Sequence, residues 1–183
     1  MLSTHFWCRW SRGRWINVHK TIGIISDTHR LLRPEVIQQL NGVDMILHAG
    51  DIVDNNTIIS LQKIASVYAV RGNCDTDSST SKYPKTEYIE LGNVRIYLLH
   101  NLNELDIVPK TIGVNVIISG HTHQPKVEER NDILYINPGS CGPRRFSLPI
   151  SMAIMEISDN KCEVKLLDLE YNKQLAAHTT IFK

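Results

Sequence analysis

The sequence predicts an α/β sandwich in which two mixed β-sheets pack face to face with helices outside, a four-layer α-β-β-α arrangement. Three observations predict it. Five short apolar runs, at residues 21–25, 45–47, 67–70, 95–99 and 116–118, are rich in Ile, Val, Leu or Tyr and too short for helices, so they read as buried strands. Helical patterns separate the first three runs, which is the signature of parallel strands joined by right-handed crossovers. Hairpin signals then replace the helices, so both sheets become mixed.

Each element has a local reason. Pro34 suits the first position of a helix over residues 34–40, with Val36, Ile37 and Leu40 on one face. Residues 55–65 predict a second helix with Ile58, Ile59, Leu61 and Ile64 as its apolar stripe. Gly92 and Asn93 join strands at 86–91 and 94–99. Residues 133–136 read as a further strand. Asp159 and Asn160 join strands at 151–158 and 162–169, where Met152, Ile154, Val164 and Leu166 alternate as half-buried strands do.

The chain of 183 residues suits one domain with one sizeable core. Four cysteines without a CxxC pair predict free thiols and a reducing, cytoplasmic compartment. No apolar run reaches the roughly 18 residues of a membrane span. The expected organisation is a leader at 1–19, poorly ordered, and one folded domain at 20–183. Arg9, Arg12, Arg14 and Lys20 precede the first acid, Asp27, and all three tryptophans lie in the same stretch. The net charge is +1 overall and −3 without those four positive charges. A poorly ordered leader, or a start codon placed too early, is the expectation. A basic aromatic surface arm and a targeting presequence are the alternatives.

The chemistry follows the strands. The first run ends in Asp27, Thr28 and His29; the second in His48, Ala49, Gly50 and Asp51, with Asp54 beyond. The third ends in Arg71, Gly72, Asn73, Cys74 and Asp75, the fourth in His100, and the fifth in Gly120, His121, Thr122 and His123. Ligand sites of α/β sheets lie off these carboxyl ends. A lone Asp there is more often a cap or turn residue, and a lone His is more often packed. Five such endings together predict a metal centre built from Asp27, His29, Asp51, Asn73, His100, His121 and His123. Oxygen and imidazole donors suit Mn²⁺, Zn²⁺ or Fe²⁺. Seven ligands are too many for one ion and fit two, about 3.5–4 Å apart, with one carboxylate bridging. Glycines before Asp51, Asn73 and His121 let the backbone turn sharply and approach closely.

These residues, in this order, resemble the calcineurin-like metallophosphoesterases, and more closely their small single-domain YfcE-like phosphodiesterase branch. Asn137, Pro138, Gly139 and Ser140 add a further signature. The resemblance runs from about Lys20 to Leu169. It implies the metallophosphoesterase fold and phosphodiester hydrolysis by a metal-bridging hydroxide. It implies two divalent ions, Mn²⁺ first, with Zn²⁺, Fe²⁺ or Ni²⁺ as alternatives. By its pattern Asp27, His29 and His123 would hold the first ion, Asn73, His100 and His121 the second, and Asp51 would bridge them. Asp51, Asn73 and His100 would be catalytic, and Asn73 would also touch the phosphate. The segment 137–140 would support the site without ligating.

Two positions depart from the wider pattern. Cys74 stands where many relatives place a histidine proton donor, which favours diesters or aryl esters. Asn101 follows His100 where glycine is common. Outside the pattern, His48 is expected to be a packed histidine, Asp54 a helix cap, and Asp75 a loop or supporting residue. Arg144 or its neighbour Arg145 is expected to meet a substrate phosphate, with Arg144 the assigned residue. The expected partner is a small-molecule phosphodiester, with no specific nucleic acid and no membrane; a hydrophobic hairpin near the C-terminus could pair copies. The competing function is a non-catalytic protein-binding scaffold on the same fold, like a retromer subunit. That reading predicts missing ligands, and none is missing.

Overall fold

The computed structural model describes residues 19–182. The expected leader therefore lies outside the described residues, except for His19, which opens the first strand. In chain order the elements are β1 (His19–Ile25), α1 (Pro34–Gln39), β2 (Met45–His48), α2 (Asn55–Leu61), β3 (Ser66–Ala69), β4 (Thr86–Leu91) and β5 (Val94–Leu99). There follow β6 (Val116–Ile118), β7 (Lys126–Arg130), β8 (Ile133–Asn137), β9 (Ser151–Ser158), β10 (Lys161–Asp168) and β11 (Lys173–Ile181).

Two mixed sheets result. The first has the order β11-β10-β9-β1-β2-β3 and the second β4-β5-β6-β8-β7. β1, β2 and β3 run parallel, as the alternation of apolar runs and helices predicts. β9 lies antiparallel against β1, with Ile22 opposite Met155. In the second sheet β5, β6 and β8 are parallel. The two hairpins at Gly92–Asn93 and Asp159–Asn160 form as expected, with Leu91 opposite Val94 and Ser158 opposite Lys161.

The core follows the two-residue period of a strand. Ile22 and Ile24 of β1 and Met45 and Leu47 of β2 face Ile96, Leu98, Val116 and Ile118 across the inter-sheet space. The alternate residues Ile25 and Ile46 face the helices, against Val36, Leu40, Ile58 and Leu61. Ile37 and Ile59, expected on the buried stripes, are instead 43% and 46% exposed. Each helix is short and rests on one sheet face, so the buried stripe is narrower than the apolar composition suggests.

The outer layer of the second sheet is thin. Two 3₁₀ turns, Leu102–Glu104 and Pro109–Ile112, lay Leu102, Leu105 and Ile107 over Tyr97, Leu99 and Ile117. Pro109 opens the second turn and Gly113, at φ +71°, ends it before a longer helix can develop. Among the described residues no helix is long and apolar enough to cross a membrane.

Candidate metal centre

The carboxyl ends of β1, β2, β3, β5 and β6 come from both sheets and meet at one edge of the sandwich. The loop after β1 is tied to the loop after β2 by backbone bonds from Asp27 N to Gly50 O and from His29 N to Asp51 O, both 3.0 Å. Gly120 N, after β6, donates to His100 O, after β5, at 2.9 Å. Asp27, His29, Asp51, His121 and His123 all have left-handed backbone, with φ between +43° and +68°. Such strain in non-glycine residues persists only where the surroundings impose it, and it clusters at ligand sites.

All seven sequence-predicted donors come together. His123 Nε2 lies 3.2 Å from Asp27 Oδ1. His29 Nε2 lies 3.7 Å from Asp51 Oδ2, and His100 Nε2 lies 3.5 Å from Asp51 Oδ1. Asn73 Oδ1 is 3.1 Å from both His100 Nε2 and His121 Nδ1. Asp27, His29 and His123 each present a donor atom within 4.8 Å of the others, and so do Asp27, Asp51 and His100. Asp27, Asp51, His100 and His123 are buried, whereas Asn73 and His121 are exposed on the cleft side. The cleft, about 260 Å³, reaches Asp51, Asn73, Cys74 and His121 and opens past Arg145 and Phe146.

The electrostatics favour a cation. Burial pushes the Asp27 carboxyl up, but His123 and Ser26 outweigh it and hold the group below its usual range. Burial lowers the His29 imidazole despite the nearby Asp51 and Asp27, which keeps it neutral and available as a ligand. Asp27 Oδ1 and His29 Nε2 are buried and make no well-directed hydrogen bond, since His123 Nε2, 3.2 Å from Asp27 Oδ1, meets it as a close ion-pair contact only. Two buried carboxylates at the floor of an open cleft form a donor set that a cation would complete. His100 Nδ1 donates to Ala49 O at 2.7 Å, so its Nε2 is the lone-pair nitrogen facing the site.

The supporting residues sort clearly. Asp75 accepts from Ile52 N, Val53 N and Gly72 N at 3.2, 2.7 and 2.7 Å, joining the loops after β2 and β3. Asp54 caps α2 by accepting from Asn56 N, as expected. Asn137 Nδ2 donates to Gly120 O at 2.8 Å and Ser140 Oγ to Asp27 O at 3.1 Å, so the turn after β8 lies beneath the β1 and β6 loops. Asn101 caps the first 3₁₀ turn through Asn103 N with φ −109°, so no glycine is required there. Cys74 is pushed up to about 11 by burial and by Asp51, and stays a neutral thiol.

Arg144 does not meet the cleft. It pairs with Glu170 and donates to Leu148 O, drawn away by an opposite charge outside the site. Arg145 lines the cleft in its place, with Phe146 beside it. Adjacent arginines on a turn point different ways, and the sequence carries no signal for which one faces the site.

His48 makes no hydrogen bond to any of the seven donors. Its Nδ1 accepts from Gly50 N at 3.2 Å, so Nε2 donates to Thr28 Oγ1 at 3.0 Å, bracing the β1 and β2 loops. Full burial lowers this imidazole to about 4. Below pH 6.5 the unfolded chain takes up a proton that the folded protein refuses. The stability is therefore complete above pH 6.5 and falls as pH drops towards 4. Urea unfolding at pH 7 and pH 5 is expected to show wild type losing roughly 2 kcal/mol more than His48→Gln. Equal losses in the two proteins would rule this contribution out.

A family model described as the calcineurin-like phosphoesterase superfamily domain matches residues 21–160. A probable metallophosphoesterase of Methanocaldococcus jannaschii is 36% identical over 163 residues, covering 81% of each chain. The phosphodiesterase YfcE of Escherichia coli is 33% identical over 96 residues, covering 49% of this chain and 52% of that protein. Among solved structures, Vacuolar Protein Sorting 29 from Cryptosporidium parvum superposes with a TM-score of 0.75 at 21% identity, covering 91% of this chain and 99% of that one.

Proposed function

Because the chain belongs to the calcineurin-like phosphoesterase superfamily, we propose that it hydrolyses a small phosphodiester at a centre of two divalent ions. The observation that carries this reading is the convergence of seven oxygen and imidazole donors around two buried carboxylates, with Asp27 Oδ1 and His29 Nε2 making no well-directed hydrogen bond. Asp27, His29 and His123 would hold one ion, and Asn73, His100 and His121 the other, with Asp51 reached from both sides. The donor set fits Mn²⁺, Zn²⁺, Fe²⁺ or Ni²⁺, and Mn²⁺ is the first choice. When bound, the ions supply a water of lowered pKa and positive charge against the phosphate.

The protein's own residues do the positioning. Asp51 is held by Cys74 N at 2.8 Å, which aims its carboxylate between His29 and His100. Asn73 brings its side-chain oxygen within 3.1 Å of His100 Nε2 and His121 Nδ1, and its amide, which donates to Cys74 Sγ at 3.4 Å, lines the cleft where it would meet a phosphate oxygen. Arg145 stands at the cleft wall, suited to a second phosphate oxygen. The cleft, about 260 Å³ and open on one side, suits a small phosphoester.

Cys74 sets the leaving-group preference. A thiol held at about 11 is a poor proton donor at neutral pH, so esters with good leaving groups are favoured. General acid catalysis contributes roughly 10²–10⁴-fold where an imidazole is well placed. Cys74→His is expected to raise turnover of alkyl phosphodiesters at least about tenfold and leave p-nitrophenyl esters little changed. A parallel gain on both ester types would refute a proton-donor role at this position.

The scaffold reading draws on the likeness to Vacuolar Protein Sorting 29, which at 21% identity shows the fold alone. The test is hydrolysis of bis-p-nitrophenyl phosphate by metal-stripped protein before and after addition of Mn²⁺. Turnover restored by metal supports the hydrolase. A folded protein that binds metal but turns over neither this diester nor p-nitrophenyl phosphate supports the scaffold.

A further inference from the structure

Phe146 is 91% exposed and sits at the lip of the metal cleft. Its backbone is left-handed, with φ +52°, a conformation that costs an aromatic residue energy and is not relieved by burying the ring. Of the large exposed hydrophobic residues described, it alone lines this cleft. Its neighbour Arg145 is also exposed and makes no salt bridge among the described residues, whereas Arg144 is taken up by Glu170. A planar apolar face and a free guanidinium therefore stand side by side at the entrance, beyond the Asp51 and Asn73 side chains.

We infer that Phe146 is a specificity-determining residue that stacks on a nucleobase, so that the substrate is a nucleoside-containing phosphodiester. This inference rests on the phosphodiesterase reading above. The chemistry matches part by part. The phosphate goes to the donor cluster and Arg145, and the attached ring lies against Phe146 outside the cleft. An acyl chain would call for a contiguous apolar patch, but Pro143, Arg144, Arg145 and Ser147 around the ring are exposed and mostly polar. A single flat ring suits a single flat partner. Stacking of this kind is tolerant of base identity.

The test is calorimetric binding of adenosine 5′-monophosphate and of ribose 5-phosphate to the Mn²⁺-supplemented protein. The two probes share the sugar phosphate and differ at C1, which carries the base in one and a hydroxyl in the other. Wild type is expected to bind the nucleotide about tenfold more tightly. Phe146→Ala should abolish that preference while leaving ribose 5-phosphate binding unchanged, and Phe146→Trp should restore it. The exposed position makes both variants safe for folding. Equal binding of the two probes by wild type overturns the inference, as does binding of neither. Equal weakening of both probes by Phe146→Ala also overturns it, since that marks a general loss at the cleft. Turnover of bis-p-nitrophenyl phosphate separates the two readings. Turnover without base preference defeats this inference alone, whereas base preference without turnover on any diester defeats the hydrolase reading and with it the nucleoside diester as substrate, leaving Phe146 only a nucleotide-binding contact.

Discussion

Asp51→Asn is expected to lower turnover of bis-p-nitrophenyl phosphate by at least about 10²–10³-fold at saturating Mn²⁺, the range seen when one oriented electrostatic group is removed from an active site. Asp51 is the carboxylate that both halves of the donor cluster reach, His29 from one side and His100 from the other. Asparagine keeps the volume and an oxygen to accept Cys74 N–H, so the loop keeps its shape while the negative charge is lost. On the proposed two-ion reading, the anionic ligand that the two cations would share is then lost. Metal-free stability should be unchanged or higher, because a buried charge has been removed. The measurements are metal-restored turnover and urea unfolding of the metal-free protein. Turnover within tenfold of wild type at matched metal content would remove Asp51 from the mechanism.

Gly72→Ala is expected to damage the fold and the site together. A Cβ on Gly72 would lie 2.1 Å from Asp51 Oδ1 and 2.5 Å from Asp51 N. The second atom is backbone, held by the bonds that tie the β1 and β2 loops, so it cannot swing aside. The requirement here is space and not backbone freedom. Forcing the β2 and β3 loops apart should cost about 1–3 kcal/mol or more, as overpacking does. It should also displace Asp51 and reduce turnover about as much as Asp51→Asn. Gly42→Ala is the contrast. Its φ is +84° and nothing lies within 4 Å of the new Cβ, so only backbone strain of roughly 1 kcal/mol is expected, with activity intact. If Gly72→Ala retained wild-type turnover, the close approach of the two loops would not matter to the chemistry.

The parts of the fold legible in the sequence are those whose signal is local. The strands at residues 21–25, 45–47, 94–99, 116–118 and 151–158 announce themselves by composition and length, and Gly92–Asn93 and Asp159–Asn160 by turn chemistry. Two strands escaped notice. β7 reads as a charged segment, with Glu128, Glu129 and Arg130, because it is an edge strand facing water. The pair Asn131 and Asp132, both with positive φ, forms the tight turn to β8 and was the one available clue. β11 is also an edge strand, largely exposed, and its alternation is weak.

For the site, the sequence by itself determined the residue types and their order after successive strands. Those depend only on what each loop carries and on the rule that such loops share one edge of a sheet. Tertiary structure alone decided which donors face each other and that five of them take left-handed backbone. It also decided that His48 and Asp75 brace the loops, and that Arg145 with Phe146, and not Arg144, lines the cleft. The physical reason is that donor chemistry is a property of a single residue. The direction of a side chain is set by contacts with residues far away in the chain, such as Glu170 for Arg144 and Thr28 for His48.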